Sequence, residues 1–209
     1  MTMQNQATLR RRTVRLTRIA AIAGLYVAIT YLLAPISFGP IQFRLSETLA
    51  ILPIFGWEYV AALTVGVFFG NIPGGPVDMV VGTLATLIAA VLTRLLRKAP
   101  VLPFLPPIIV NALMVPIIFL TIDDITSPYW LNVLTVGFGQ TVVIFTAGVA
   151  LYLAIKRNRR LYGMVCPDFM PITTTVADKE HPAAKAAPLS REGNISAADC
   201  FADARNDNE

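Results

Sequence analysis

Residues 35 to 47 read Pro35-Ile36-Ser37-Phe38-Gly39-Pro40-Ile41-Gln42-Phe43-Arg44-Leu45-Ser46-Glu47. This stretch separates two apolar segments and contains two prolines, a glycine, an amide, a guanidinium and a carboxylate. Lipid offers no hydrogen bonds, so irregular backbone at membrane depth is stable only where it is buried in protein or lines a cavity. The stretch is therefore either an ordinary external loop or the lid and wall of a small-molecule site. We predict the second.

The composition around this stretch is that of a membrane protein. Of the 209 residues, 55% are hydrophobic and 14% are charged, and the mean hydropathy is +0.62. A soluble domain usually has about a quarter of its residues charged. These values predict an all-α, multi-pass membrane protein.

Basic residues are concentrated at the ends of the apolar segments. They form three clusters: Arg10, Arg11, Arg12, Arg15 and Arg18; Arg94, Arg97 and Lys98; Lys156, Arg157, Arg159 and Arg160. This distribution follows the rule that the cytoplasmic loops of membrane proteins are enriched in lysine and arginine. It is not a continuous basic patch, so we expect no nucleic-acid partner.

Four apolar segments are long enough to cross a hydrocarbon core of roughly 30 Å as helices. They cover residues 16–34, 77–96, 106–122 and 131–155. Residues 45–70 could form one long helix, or two short ones broken near Pro53, Gly56 and Glu58. Only two helices place the first two basic clusters on the same side. We therefore predict six transmembrane helices with both termini cytoplasmic.

The second of these helices, at residues 45–55, is too short to cross alone at about 1.5 Å per residue. Residues 35–44 must then enter the bundle to meet it. We divide the chain into a basic cytoplasmic N-terminus (1–15), a six-helix transmembrane substrate-binding domain (16–160) and a largely disordered cytoplasmic tail (161–209), because the tail has no apolar span and no periodicity.

Catalytic chemistry has little support in the sequence. The chain has no G-x-x-x-x-G-K-[ST] phosphate loop, which excludes ATP hydrolysis by that route. The single histidine, His181, lies in the predicted tail, and the spans contain no metal-binding cluster or nucleophile. We expect no catalytic residues, no metal and no cofactor.

Ionisable and amide side chains near apolar spans are costly, which makes them candidates for function. With their aromatic neighbours, the candidates for substrate binding are Gln42, Phe43, Arg44, Glu47, Asn71, Asp78, Asn111, Trp130 and Gln140. Together they suit a flat, polar ligand that stacks between rings. Trp130 could equally belong to an aromatic belt at the membrane interface.

The polar candidates also have structural interpretations that the sequence leaves open. Glu47 and Asp78 could stabilise the starts of helices. Arg44 could pair with Glu47 three positions further on. Asn111 and Gln140 could hydrogen-bond neighbouring helices.

Small residues recur every four positions on two predicted helices. Ala20, Gly24 and Ala28 leave one strip of the first helix bare, and Gly66 and Gly70 do the same on a later one. Such strips allow helix backbones to approach closely. We expect Gly66 and Gly70 to pack inside the chain, whereas the first strip could pack inside or dock onto another membrane subunit.

Several motifs resemble, in the same order, those of QueT-type proteins. They are residues 37–47, Asn71 with Asp78, the run Gly82-Thr83-Leu84-Ala85-Thr86, residues 107–113, and Tyr129-Trp130-Leu131-Asn132. The similarity covers roughly residues 16–155. It implies the substrate-binding (S) component of an energy-coupling factor transporter, which imports queuosine precursors across a prokaryotic plasma membrane. The first loop would then close over the ligand.

The resemblance also implies partners and a ligand. The strip of Ala20, Gly24 and Ala28 would dock onto a transmembrane coupling protein, which two ATP-binding-cassette ATPases drive. A 7-deazaguanine presents adjacent N–H donors that Glu47 or Asp78 could accept. Its carbonyl oxygen would need a donor such as Gln42, Asn71 or Asn111, and its ring could stack on Phe43 or Trp130.

Two positions depart from the resemblance. Gln140 lies where we expect an acidic residue, and Pro116 lies where we expect a glycine. The missing carboxylate favours a neutral precursor over a cationic one. The alternatives are an S component for another vitamin or nucleobase, a solitary secondary carrier, and a small intramembrane enzyme with Glu47 and Asp78 as acid and base.

Overall fold

The computed structural model describes residues 3–37, 43–119 and 128–166. Its helices are α1 (Met3–Leu32), α2 (Ala34–Ser37), a 3₁₀ helix (Leu45–Ile54), α3 (Glu58–Gly70), α4 (Pro76–Leu95), α5 (Leu105–Phe119), α6 (Tyr129–Val143), a π-helical segment (Ile144–Gly148), α7 (Val149–Arg157) and α8 (Arg159–Val165). All regular structure in these three ranges is helical, which confirms the predicted all-α class. Gln42 and residues 167–209 lie outside the described residues.

Three helical stretches in the described chain are long and apolar enough to cross a membrane: Arg12–Leu32, Pro76–Leu95 and Tyr129–Arg157. Three shorter apolar helices accompany them: Leu45–Ile54, Glu58–Gly70 and Leu102–Ile118. Residues 45–70 thus form two helices rather than one. The number of crossings and the side on which the termini lie stay predictions.

The second apolar segment is a 3₁₀ helix of ten residues, where we expected a short α-helix. A 3₁₀ helix rises about 2.0 Å per residue against about 1.5 Å for an α-helix, so ten residues span about 20 Å instead of about 15 Å. It lies in the centre of the bundle, in contact with α1, α3, α4, α6 and α7, and Ile51 and Leu52 are almost completely buried. The tighter winding lets a short segment extend deep into the protein.

Arg94 of α4 caps the C-terminal end of the 3₁₀ helix. Its Nη1 donates to the carbonyl oxygens of Ile54 at 2.7 Å and Pro53 at 3.4 Å. The guanidinium also lies 5.9 Å from the centroid of the Trp57 ring. Because the last carbonyls of a helix have no partner within it, Arg94 satisfies groups that would otherwise be unbonded.

The two small-residue strips have different surroundings. A Cβ atom on Gly66 would lie 3.0 Å from Tyr26 Cβ, and one on Gly70 would lie 3.2 Å from the Tyr26 ring. Gly66 and Gly70 therefore let α3 pack closely against α1, as we expected. A Cβ on Gly24 would meet no atom within 4 Å, so the strip on α1 lies on an open face of the described chain.

Helical structure continues past residue 160, where we predict the end of the transmembrane domain. We placed the end of the helical domain at residue 160, but α8 continues to Val165 and Cys166 is buried. Tyr59 of α3 donates its hydroxyl proton to the Val165 carbonyl oxygen, and Tyr162 packs edge-on against Phe55. These contacts hold the start of the predicted tail against the end of the bundle.

Candidate substrate-binding site

Arg44 and Asp78 form a buried ion pair between the start of the 3₁₀ helix and the first turn of α4. Arg44 Nη2 lies 3.0 Å from Asp78 Oδ2, and the two side chains are 7% and 5% exposed. Buried charges are stable only when they are paired and hydrogen-bonded. The end of the 35–47 stretch therefore turns into the protein rather than into water.

Asn71 joins this ion pair from the turn between α3 and α4. Its Nδ2 donates to the main-chain carbonyl oxygen of Asp78 at 3.0 Å. Two glycines leave space for the group: a Cβ on Gly82 would collide with Asn71 Nδ2, and a Cβ on Gly74 would collide with the Asp78 carboxylate. We call Arg44, Asn71 and Asp78 the outer polar cluster, since they lie near the predicted external ends of α3 and α4.

Glu47 lies one turn further along the 3₁₀ helix and accepts two hydrogen bonds. Tyr26 donates its hydroxyl proton to Glu47 Oε1 at 2.7 Å, and Asn111 Nδ2 donates to Glu47 Oε2 at 3.4 Å. All three side chains are buried. These residues, the inner polar cluster, connect α1, the 3₁₀ helix and α5, and they engage both carboxylate oxygens of Glu47.

Two oxygen atoms of the outer polar cluster have no hydrogen-bond partner among the described residues. They are Asp78 Oδ1 and Asn71 Oδ1, and both are buried. The side chains are adjacent, because a Cβ on Gly82 would lie within 3.4 Å of both Asp78 Oδ1 and the Asn71 amide group. A buried acceptor without a partner costs about 1–3 kcal/mol, and a ligand with N–H donors would remove that cost.

The other predicted site residues lie in different surroundings. Gln140 of α6 is buried. Phe43, which directly precedes Arg44 in the sequence, is half-buried. Trp130 is 69% exposed and packs edge-on against Tyr129, whose hydroxyl donates to the Leu113 carbonyl oxygen. This exposure fits an interfacial aromatic belt. Ligand stacking on Trp130 stays a prediction.

Several buried polar residues were not among the predicted site residues, and two of them, Tyr26 and Asn132, bear on the candidate site. Tyr26 has no exposure and binds Glu47; its signal in the sequence is a phenol hydroxyl within an apolar span, which needs a partner when buried. Asn132 of α6 is 8% exposed. It lies in one of the quoted motifs, but only the helix packing shows that it faces inward.

The family model of the QueT transporter matches residues 16–157. The chain belongs to the QueT transporter family. This match confirms the resemblance seen in the motifs. The QueT family is one of transporters, not of enzymes, which sets aside acid–base catalysis by Glu47 and Asp78. With its long apolar helices, this QueT family member is a multi-pass membrane protein.

One relative from the same family matches part of the chain. The queuosine precursor transporter QueT of Lactococcus lactis subsp. cremoris (strain MG1363) is 41% identical over 80 residues, which are 37% of this chain and 47% of the relative. The match thus spans about half of the relative's length. No solved structure gives a significant match to this QueT family member.

Proposed function

We propose that this chain is the substrate-capture (S) component of an energy-coupling factor type importer, and that it binds a queuosine precursor of the 7-deazaguanine type on the outer side of the membrane. The supporting observation is the pair of buried acceptors, Asp78 Oδ1 and Asn71 Oδ1, without hydrogen-bond partners in the described chain. The relative named as a queuosine precursor transporter supports the choice of ligand.

The ligand would bind at the outer polar cluster rather than at Glu47. A 7-deazaguanine has a ring N–H and an amino group side by side, and each needs an acceptor. Both oxygens of Glu47 already accept hydrogen bonds from Tyr26 and Asn111. Asp78 Oδ1 and Asn71 Oδ1 accept no hydrogen bond from the described residues. The two N–H groups of the ligand can therefore bind them without displacing a bond inside the protein.

The partners would bind at the open strip on α1. Ala20, Gly24 and Ala28 are exposed, and an open groove of about 460 Å³ lies beside Gly24 and Ala28, with Phe69 of α3 on its other wall. Small residues on an exposed face let the backbone of another helix approach closely. We assign this strip to a transmembrane coupling protein that works with two ATP-binding-cassette ATPases.

The same proposal includes a topology. Six crossings with both termini cytoplasmic put residues 35–47 and the outer polar cluster on the external side. The basic clusters and the tail then lie on the side of the ATPases. The helical domain extends to residue 166 in this assignment, because Val165 and Cys166 contact the bundle.

Two experiments test this function and separate it from its rivals. Native mass spectrometry of the purified full chain should show a bound 7-deazaguanine derivative; another bound vitamin or nucleobase would contradict the ligand. Uptake into proteoliposomes should require the coupling protein and the ATPases together with this chain. Uptake by this chain alone would identify a solitary secondary carrier instead.

A further inference from the structure

We infer that Asn132 of α6 is a specificity-determining residue that donates a hydrogen bond to the ring carbonyl oxygen of the ligand. The inference rests on the proposed function, because it adds a donor to the two acceptors of the outer polar cluster. Asn132 is 8% exposed, and its Nδ2 is buried with no hydrogen-bond partner in the ranges that the structure describes. Buried amide groups normally have a partner, so this group is a candidate donor to a ligand.

Helix packing places Asn132 at the depth of Asp78. Val136 of α6 forms one small apolar cluster with Val115 and Ile118 of α5, and Val81 of α4 packs against this cluster. Asn132 lies one helical turn before Val136, and Asp78 lies one turn before Val81, on the same helix faces. α5 contacts both α4 and α6 and lies between them in the sequence, so we infer that α4 and α6 run the same way. Asn132 and Asp78 therefore both lie one turn outward from the apolar cluster.

Two of the three residues that we first considered as donors already form hydrogen bonds inside the protein, and the third, Gln42, lies outside the described residues. Asn111 Nδ2 donates to Glu47, and Asn71 Nδ2 donates to the main-chain oxygen of Asp78. The Nδ2 of Asn132 has no such bond within the described chain. A ligand can therefore accept a hydrogen bond from this amide group without displacing a bond among the described residues.

Asp78, Asn71 and Asn132 together present two acceptors and one donor. The six-membered ring of a 7-deazaguanine has the complementary edge, with an amino group, a ring N–H and a carbonyl oxygen in sequence. We therefore assign the site to ligands that share this 2-amino-oxo edge, whatever substituent they have on the five-membered ring. Ligands without the carbonyl oxygen would leave the Asn132 donor unpaired, which a buried polar site disfavours strongly.

The test changes the carbonyl oxygen of the ligand and the side chain of Asn132, separately and together. 7-Deazaguanine and its thiocarbonyl analogue have the same N–H donors, but sulfur is the weaker acceptor. The affinity of each is measured by calorimetry for the full chain in detergent micelles, for the wild type and for Asn132→Leu. The wild type should prefer the oxo ligand by about tenfold. Asn132→Leu should lose about tenfold in affinity for the oxo ligand and little for the thio ligand, so that the preference disappears.

Two further variants keep this test decisive. Thr141→Ala is the control, because Thr141 is exposed on the same helix and its hydroxyl bonds within that helix; it should keep the preference. Asn132→Asp keeps the shape of the asparagine side chain, and it replaces Asn132→Leu if that variant does not fold. It should also abolish the preference for the oxo ligand. If the Asn132 variants keep the preference for the oxo ligand, or lose affinity for both ligands equally, the role of Asn132 is refuted while the proposed function stands. If the wild type binds neither ligand, both fail.

Discussion

Arg44 Nη2 and Asp78 Oδ2 lie 3.0 Å apart inside the helix bundle, although 34 positions separate the two residues in the sequence. Arg44 lies in the 35–47 stretch, directly before the 3₁₀ helix, and Asp78 lies in the first turn of α4. The contact attaches that stretch to the helix that contributes the free acceptor of the candidate site. We therefore expect ligand binding and folding to depend on the same pair of charges.

Removing one partner of this pair will destabilise the protein strongly. Asp78→Asn leaves the Arg44 charge buried without its carboxylate, and we expect a loss of about 3–5 kcal/mol in the free energy of unfolding in micelles. The double variant with Arg44→Gln should recover part of it. Arg15→Gln is the control: Arg15 pairs with Glu58, but its side chain is 61% exposed, so we expect a loss of at most about 1 kcal/mol. Equal losses in Asp78→Asn and Arg15→Gln would contradict this prediction.

The hydroxyl group of Tyr26 will contribute more to the stability of the fold than that of Tyr31 on the same helix. Tyr26→Phe removes a buried bond to the Glu47 carboxylate, and we expect it to lower the free energy of unfolding by about 1.5–3 kcal/mol. Tyr31 bonds the Phe69 carbonyl oxygen at 3.3 Å and is exposed, so Tyr31→Phe should change it by less than about 0.5 kcal/mol. Chemical unfolding of the two variants side by side decides the matter, and similar losses would count against the inner polar cluster.

A single methyl group at Gly82 will disturb the outer polar cluster. Gly82→Ala would place Cβ against Asn71 Nδ2, and overpacking of this kind costs about 1–3 kcal/mol. We also expect weaker ligand binding, because Asn71 must move. Gly24→Ala is the matched control, since its Cβ would meet no atom within 4 Å; a helical glycine replaced there should gain up to about 1 kcal/mol. An unchanged affinity and stability of Gly82→Ala would show that the cluster is less tightly packed.

A larger residue at Gly24 will separate ligand binding from transport. Gly24→Leu fills the open strip on α1 without touching either polar cluster, so calorimetry should show wild-type affinity for the ligand. Assembly with the coupling protein and uptake should both be lost, because a backbone can no longer approach the strip. Gly24→Ala should keep both. Normal uptake by Gly24→Leu would place the docking surface elsewhere.

The sequence predicted helices best where local signals agree. We expected a helix at residues 77–96, and α4 runs from Pro76 to Leu95, because proline at the first turn and basic residues after the last turn mark its ends. The 3₁₀ winding of Leu45–Ile54 has no such local signal. It depends on the packing of five other helices around a segment that would be too short as an α-helix.

The site was predictable in its residue types but not in its pairings. From the sequence we considered Glu47, three positions after Arg44, as its ionic partner, whereas the structure shows an ion pair between Arg44 and Asp78. Gly24 and Gly66 follow the same four-residue spacing, but only the tertiary structure shows that Gly24 is open and Gly66 is packed. Pairings of this kind depend on contacts between helices, which residue spacing along one helix does not determine.

The most direct test of this account is an experimental structure of the full chain with 7-deazaguanine bound. The account predicts that the ring N–H and the amino group lie about 3 Å from Asp78 Oδ1 and Asn71 Oδ1, as hydrogen bonds require, beneath the stretch that ends at Arg44. A ligand bound elsewhere, against Trp130 or in the groove beside Gly24, with no contact to Asp78, would contradict it.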